Sequence, residues 1–139
     1  MEPLVAFALV VALVGVATAI GFVWRAGQGR IRHTKSADAV AIEGVELASG
    51  LTLVQFSSEY CTPCRATARV LEELAGERSD ISHVELDVAE RPELAARFGI
   101  LQIPTTLVLD ATGHVRARIG GAVRREQVSA ELARLSVAA

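Results

Sequence analysis

The chemistry this chain can do is concentrated in four residues, Cys61-Thr62-Pro63-Cys64, which hold its only two cysteines. A thiolate rather than a thiol attacks a disulfide, so a reactive cysteine needs a setting that favours the anion. The pair follows an apolar run, Leu51 to Phe56, and opens a stretch of helical spacing. A helix N-terminus carries about half a positive charge and unsatisfied N–H groups, which favour a thiolate at Cys61. Cys64 then lies one turn inward, within bridging distance, and Pro63 fits a first helical turn, where its missing N–H costs nothing. In that arrangement Cys61 forms a mixed disulfide with a substrate and Cys64 resolves it. Two plainer readings stand beside this one. A zinc site needs about four ligands, and the remaining candidates, His33, His83 and His114, are widely spread. A purely structural bridge would close a tiny loop and restrict the unfolded chain little.

The elements that must position this pair follow from periodicity. Leu51–Phe56 predicts a strand, and Thr62–Glu77 a helix with Val70, Leu71 and Leu74 inward and Glu72, Glu73 and Glu77 outward. Ile81–Val88 alternates and predicts a strand ending near Asp87. Pro92 opens a short helix to Phe98 and Gly99 ends it. Thr105–Leu109 predicts a continuous apolar strand, Asp110–Gly113 a hairpin turn, and Val115–Ile119 an alternating strand with Arg116 and Arg118 outward. Arg124–Val137 predicts a final helix with Val128, Leu132 and Leu135 inward. Between Ile31 and Gly50 the expectation is one strand around Val40–Ile42 and an incomplete helix near Val45–Ala48. Strands first alternate with helices, then a hairpin and a last helix follow. This predicts an α/β domain with a mixed central sheet and helices on both faces.

The front of the chain is different. Leu4 to Trp24 is a run of 21 uncharged, mostly apolar residues, which as a helix at ~1.5 Å per residue reaches roughly 30 Å, enough to cross a bilayer core. Trp24 closes it where an interfacial aromatic is expected. The run has no positive start, as a cleaved signal peptide would, although Ala17-Thr18-Ala19 resembles a cleavage site. It has no polar stripe, as a core helix would. We read it as a transmembrane anchor over residues 1–25, a basic juxtamembrane linker over 26–35 and a folded domain over 36–139. Arg25, Arg30, Arg32 and Lys35 follow the run, while Glu2 precedes it. The positive-inside rule therefore expects a single-pass protein of the cell membrane with its domain in the cytoplasm, its basic cluster able to touch anionic lipid heads. From Ser36 onward the chain has ten Arg against fifteen Asp and Glu, net about −5, which excludes a nucleic-acid surface. Abundant Ala, Val and Arg with a single Lys hint at a GC-rich bacterial genome.

With these residues in view the chain resembles the thioredoxin family over most of residues 50–139. Three elements carry the likeness: Leu53 to Arg65 with the cysteine pair, Ile103-Pro104-Thr105 about forty residues on, and Gly113 and Gly120 around the hairpin and before the last helix. The resemblance implies a thioredoxin-like fold and a cis bond before Pro104. It implies that Tyr60, Ile103 and Pro104 form a substrate surface beside the catalytic Cys61 and Cys64. It calls for no cofactor and no metal. It implies protein disulfides as substrates and an unidentified electron donor such as a reductase, with membrane lipid met only through the N-terminal helix. The sequence also departs from the family. Tyr60 stands where a Trp is usual, and Thr62 where a Gly is usual. Gln55 replaces the buried acid that accepts the second cysteine's proton, and His83 stands where a buried lysine is usual. Glutamine cannot take that proton, which leaves His83, Glu59 or water as acceptor. The plainer reading of His83 is a half-buried strand residue satisfied by a hydrogen bond. A rival function of another class is a membrane-anchored adaptor of the same fold without redox turnover.

Overall fold

The structure, a computed structural model, describes residues 2–34 and 39–137. Helix α1 spans Pro3–Gly27, with no buried residue along it. Among the described residues it is the one helix long and apolar enough to cross a membrane. Complete exposure removes the core-helix alternative, since a core helix hides one face. Arg25 sits in its last turn, where a cation suits the negative end of the helix.

Seven elements of a sheet domain follow: β1 Arg30–His33, β2 Leu51–Ser57, α2 Thr62–Gly76, β3 Ile81–Asp87, α3 Pro92–Arg97, β4 Thr105–Asp110 and β5 Val115–Gly120, with α4 Arg125–Val137 closing the chain. Among the described residues five strands lie in the order β1-β5-β4-β2-β3, and only β2 and β3 run parallel. The mixed sheet expected from the sequence is therefore present. Strand β2 sits centrally and every one of its residues is buried, because both of its faces are covered. Leu51 and Leu53 point to one face, with Leu71 and Leu74 of α2 and Val128, Leu132 and Leu135 of α4. Val54 and Phe56 point to the other, with Leu94 of α3 and Ile42. Helices thus cover both faces. The inward residues expected on α4 are all buried, and Leu71 and Leu74 on α2 likewise, with Val70 partly so.

A bulge between Val108 and Leu109 shifts the β4–β5 register. It places Val115 on the α3 face and Ala117 and Ile119 on the α2–α4 face. A regular strand would have kept these three together.

Two expectations between Ile31 and Gly50 are corrected. No strand forms at Val40–Ile42 and no helix at Val45–Ala48; this segment is a loop with a turn at Glu43-Gly44. The Val40 N–H is taken by the Gly113 carbonyl of the hairpin turn, and the Ala48 N–H by the Thr52 hydroxyl at 2.9 Å, so neither joins a ladder or a helix. Among the described residues of this segment Ile42 alone is fully committed to the core, at 5% exposure. The edge strand comes instead from Arg30–His33, inside the stretch read as a linker. Its single apolar residue, Ile31, gives no alternation to read; the open edge of β5 recruits it through antiparallel pairing. His33 then meets the buried Glu131 and Arg134 of α4, tying the edge strand to the last helix. Arg134 and His33 hold the Glu131 carboxyl below its usual range. The expected domain boundary at residues 35 and 36 lies outside the described residues.

Candidate functional site

Strand β2 and helix α2 meet through the short turn that carries the cysteines. The Cys61 N–H donates to the Ser58 carbonyl, and the Cys64 and Arg65 N–H groups return to the Cys61 carbonyl. Cys61 is the N-cap of α2 and its Sγ accepts the Cys64 N–H at 3.2 Å. A sulfur taking that place is held against the helix's positive end. Pro63 lies in the first helical turn, as expected. The cysteines form a disulfide with Cα atoms 5.2 Å apart, within the usual span for such a bridge. Their exposures differ. Cys64 is fully buried, whereas Cys61 is half-buried at the surface. One sulfur is open to a partner and the other waits behind it.

Behind Cys64 lies a buried polar relay. Gln55, fully buried on β2, donates its side-chain N–H to the Cys64 carbonyl at 2.9 Å. His83 Nε2 meets the oxygen of the same amide at 3.1 Å. The first bond orients the amide, so the second requires His83 Nε2 to carry the hydrogen. The parallel register makes this possible: Gln55 pairs with Glu85 and Leu53 with His83, so Gln55 and His83 share one face two positions apart. Burial pushes the His83 imidazolium down, and the nearby Glu72 and Glu85 only partly oppose this. The relay ends on the Cys64 carbonyl rather than its sulfur. Its place is therefore to hold the second cysteine, and the hydrogen bond expected for His83 is present. Glu59 is exposed on the preceding loop.

Across from the cysteines, the Ile103–Pro104 peptide is cis. Pro104 is buried and Ile103 half-buried. The Pro104 carbonyl accepts the Gly121 N–H at 2.7 Å, and Gly121 adopts φ +83°, a conformation that suits glycine. Pro63, Ile103 and Pro104 share a groove of about 470 Å³. Tyr60, 89% exposed, projects beside the cysteines and outside that groove. The groove's other wall was not foreseen: Trp24, Arg25 and Gln28, from the end of α1, face the two prolines. The run from Leu4 to Trp24 reads as an anchor and carries no signal for this. Only the pairing of β1 with β5 swings the helix end alongside Gly121. Among the described residues no group of three or more His, Cys, Asp or Glu could hold a metal ion.

Comparison with known proteins agrees with this geometry. The thioredoxin family model matches residues 35–134. The thioredoxin of Listeria monocytogenes is 44% identical over 64 residues, covering 45% of this chain and 62% of that protein. The chain thus spans less than two thirds of the length of that curated relative. The thioredoxin of Bacillus subtilis is 40% identical over 76 residues, covering 54% of this chain and 73% of its own. Among solved structures, thioredoxin NaTrxh from Nicotiana alata superposes with a TM-score of 0.56 at 26% identity, covering 63% of this chain and 75% of that one. Fasciola hepatica thioredoxin gives 0.55 at 27%, covering 63% and 83%.

Proposed function

Because the chain belongs to the thioredoxin family, we propose that it is a thiol–disulfide oxidoreductase, tethered to a membrane by α1, that reduces protein disulfides. The observation that carries this reading is the asymmetry of the pair: a half-exposed Cys61 capping a helix, with a fully buried Cys64 bridged to it. In the reduced protein the Cys61 thiolate attacks one sulfur of a substrate disulfide. That bond breaks, the departing sulfur takes a proton, and a Cys61–substrate disulfide remains. Cys64, as its thiolate, then attacks Cys61 Sγ and releases the second substrate thiol. Two electrons pass to the substrate and the 61–64 disulfide forms. An electron donor such as a dithiol reductase regenerates the pair.

Tyr60, Ile103 and Pro104 are proposed as the surface that receives the substrate backbone. The proton leaving Cys64 goes to water through the Cys61 side, since its buried neighbour is an amide and His83 already donates to that amide. Arg25 in the last turn of α1 and Arg30 and Arg32 just after it support a domain on the cytoplasmic side, where the reducing poise favours reduction over oxidation.

Reduction of insulin by dithiothreitol tests the activity. Turnover is expected, and Cys61→Ala is expected to abolish it. Cys64→Ser should hold a mixed disulfide that gel electrophoresis without reductant detects. Turnover that survives Cys61→Ala, or none in the native chain, would replace this reading with that of an adaptor. A reporter that is active only in the cytoplasm, fused after Ala139, tests the orientation; an inactive fusion reverses it.

A further inference from the structure

We propose that the recess between β1, β5 and the 99–102 loop binds the phosphate of an anionic phospholipid headgroup, held by Arg30, Arg32 and Arg118. The recess measures about 410 Å³, and its lining includes these three arginines, Gln102 and Thr105 and, among the described residues, no Asp or Glu. Arg30 and Arg32 are two apart on one strand and so share a face. Arg32 pairs directly with Arg118 across the antiparallel β1–β5 ladder. Like charges placed opposite one another in this way destabilise a sheet, and an anion between them reverses the sign. Guanidinium groups suit that anion because their planar forks match phosphate oxygens. Arg118 is already fixed in place: its two terminal nitrogens donate to the Phe98 and Gly99 carbonyls, which leaves three of its five N–H groups for a ligand. The site is also out of character for its surroundings, since the chain from Ser36 onward carries a net charge of about −5.

The position of the recess points to a lipid as the source of the phosphate. Gly27, the last residue of α1, forms part of its wall. Gly27 lies three residues past Trp24, about 4.5 Å further along a helix. The headgroup layer of each leaflet is roughly 5–8 Å deep, taking half the difference between whole-bilayer and hydrocarbon thickness. That wall therefore sits at headgroup depth when α1 spans a bilayer. The linkage is short: only Gln28 and Gly29 separate α1 from β1, and the Gly29 N–H is bonded to the Gly120 carbonyl at 2.8 Å. The recess shares Gln102 with the groove that holds Ile103 and Pro104, so a bound headgroup would brace the redox groove against the membrane surface. Basic pockets at this depth are a known class of lipid-headgroup site.

This inference rests on the membrane-anchor reading of α1. Alkaline carbonate extraction of membranes from expressing cells reads that premise separately: a chain that is extracted sinks the anchor and this proposal with it. The site itself is tested with the full chain in neutral detergent micelles, following thermal unfolding by circular dichroism. The titrants are short-chain phosphatidylglycerol, short-chain phosphatidylcholine, inorganic phosphate and an oligo-glutamate peptide. A saturable rise in unfolding temperature with phosphatidylglycerol alone is expected. Arg30→Gln/Arg32→Gln should weaken its apparent Kd at least tenfold while insulin reduction is unchanged. Arg118→Gln, which also loses the carbonyl ties, serves as the second variant. An equal response to inorganic phosphate makes this a small-anion site and overturns the lipid assignment. A stronger response to oligo-glutamate makes it a peptide surface and overturns it as well. A saturable effect that neither variant weakens, or no saturable effect, ends the proposal.

Discussion

The relay behind Cys64 makes a prediction that a double-mutant cycle can test. Gln55→Leu keeps the volume of a fully buried side chain but removes the donor to the Cys64 carbonyl and the acceptor for His83. Two net hydrogen bonds are worth about 1 kcal/mol each, and a stranded imidazole N–H adds about 1–3 kcal/mol where it cannot reach water. Leucine recovers part of this through its own burial, so the expected loss is about 2–3 kcal/mol. His83→Leu strands the fully buried Gln55 oxygen instead, for about 1–3 kcal/mol. The double variant strands neither partner. Its loss should fall short of the sum by about 1–2 kcal/mol, within the range found for residues in one network.

Urea unfolding of the full chain in micelles, followed by far-ultraviolet circular dichroism, measures this. With a slope of about 1–2 kcal/mol per M, the Gln55→Leu midpoint should fall by roughly 1–3 M. The relay also has a pH signature. Burial lowers the His83 pKa from its ordinary 6.5, so between that value and the lowered one the unfolded chain binds a proton that the folded chain resists. The stability associated with neutral His83 is complete above pH 6.5 and is lost as pH falls through the folded value, with a slope of at most about 1.4 kcal/mol per pH unit. Native protein minus His83→Leu should show that slope. Energies that add within about 0.5 kcal/mol, together with parallel pH curves, would refute the coupling.

Three further outcomes are expected. Burial would raise the Asp110 carboxyl, but the Thr112 hydroxyl, the His114 N–H, the Arg116 guanidinium and the Thr112 N–H outweigh it and hold it at about 2. Its stabilisation is present above pH 4, is lost as pH falls toward 2, and amounts to about 2 kcal/mol. Asp110→Asn should flatten that limb of an acid-unfolding curve. Gly121→Ala places a Cβ at φ +83° against the Gln28 side chain, which should cost about 1–2 kcal/mol and lower the melting temperature; an unchanged value would contradict the close approach of α1 to the groove. Leu71→Ala opens a cavity in the α2–α4 face, where Leu71 is fully buried, and should cost about 2–5 kcal/mol by denaturant titration.

Much of the domain was legible because its signals are local. Helix α2 shows its inward residues and its Pro63 start within one window. Gly99 and Gly113 mark an end and a turn at φ +56° and +85°. The β3, β4 and β5 strands each alternate or run apolar as strands should. The segment from Ile31 to Gly50 misled because its apolar residues, Val40, Ile42 and Val45, pack on the core from a loop, while the real edge strand is Arg-Ile-Arg-His. An edge strand is recruited by the open hydrogen-bonding groups of its neighbour, and nothing in four mostly charged residues announces that. The bulge after Val108 was equally invisible, since Val115, Ala117 and Ile119 alternate in sequence whichever face they meet.

The site divides along the same line. By itself the sequence determined that two sulfurs sit one helical turn apart at a strand-to-helix junction, behind an apolar run long enough for a bilayer. Those are properties of residue type and short spacing. The tertiary structure alone decided that Gln55 and His83 share one relay and that three arginines gather beside the end of α1. Each of these depends on strand pairing between residues far apart in the chain, Leu53 with His83 and Arg32 with Arg118. Pairing register is set by the packing of the whole sheet rather than by either segment alone.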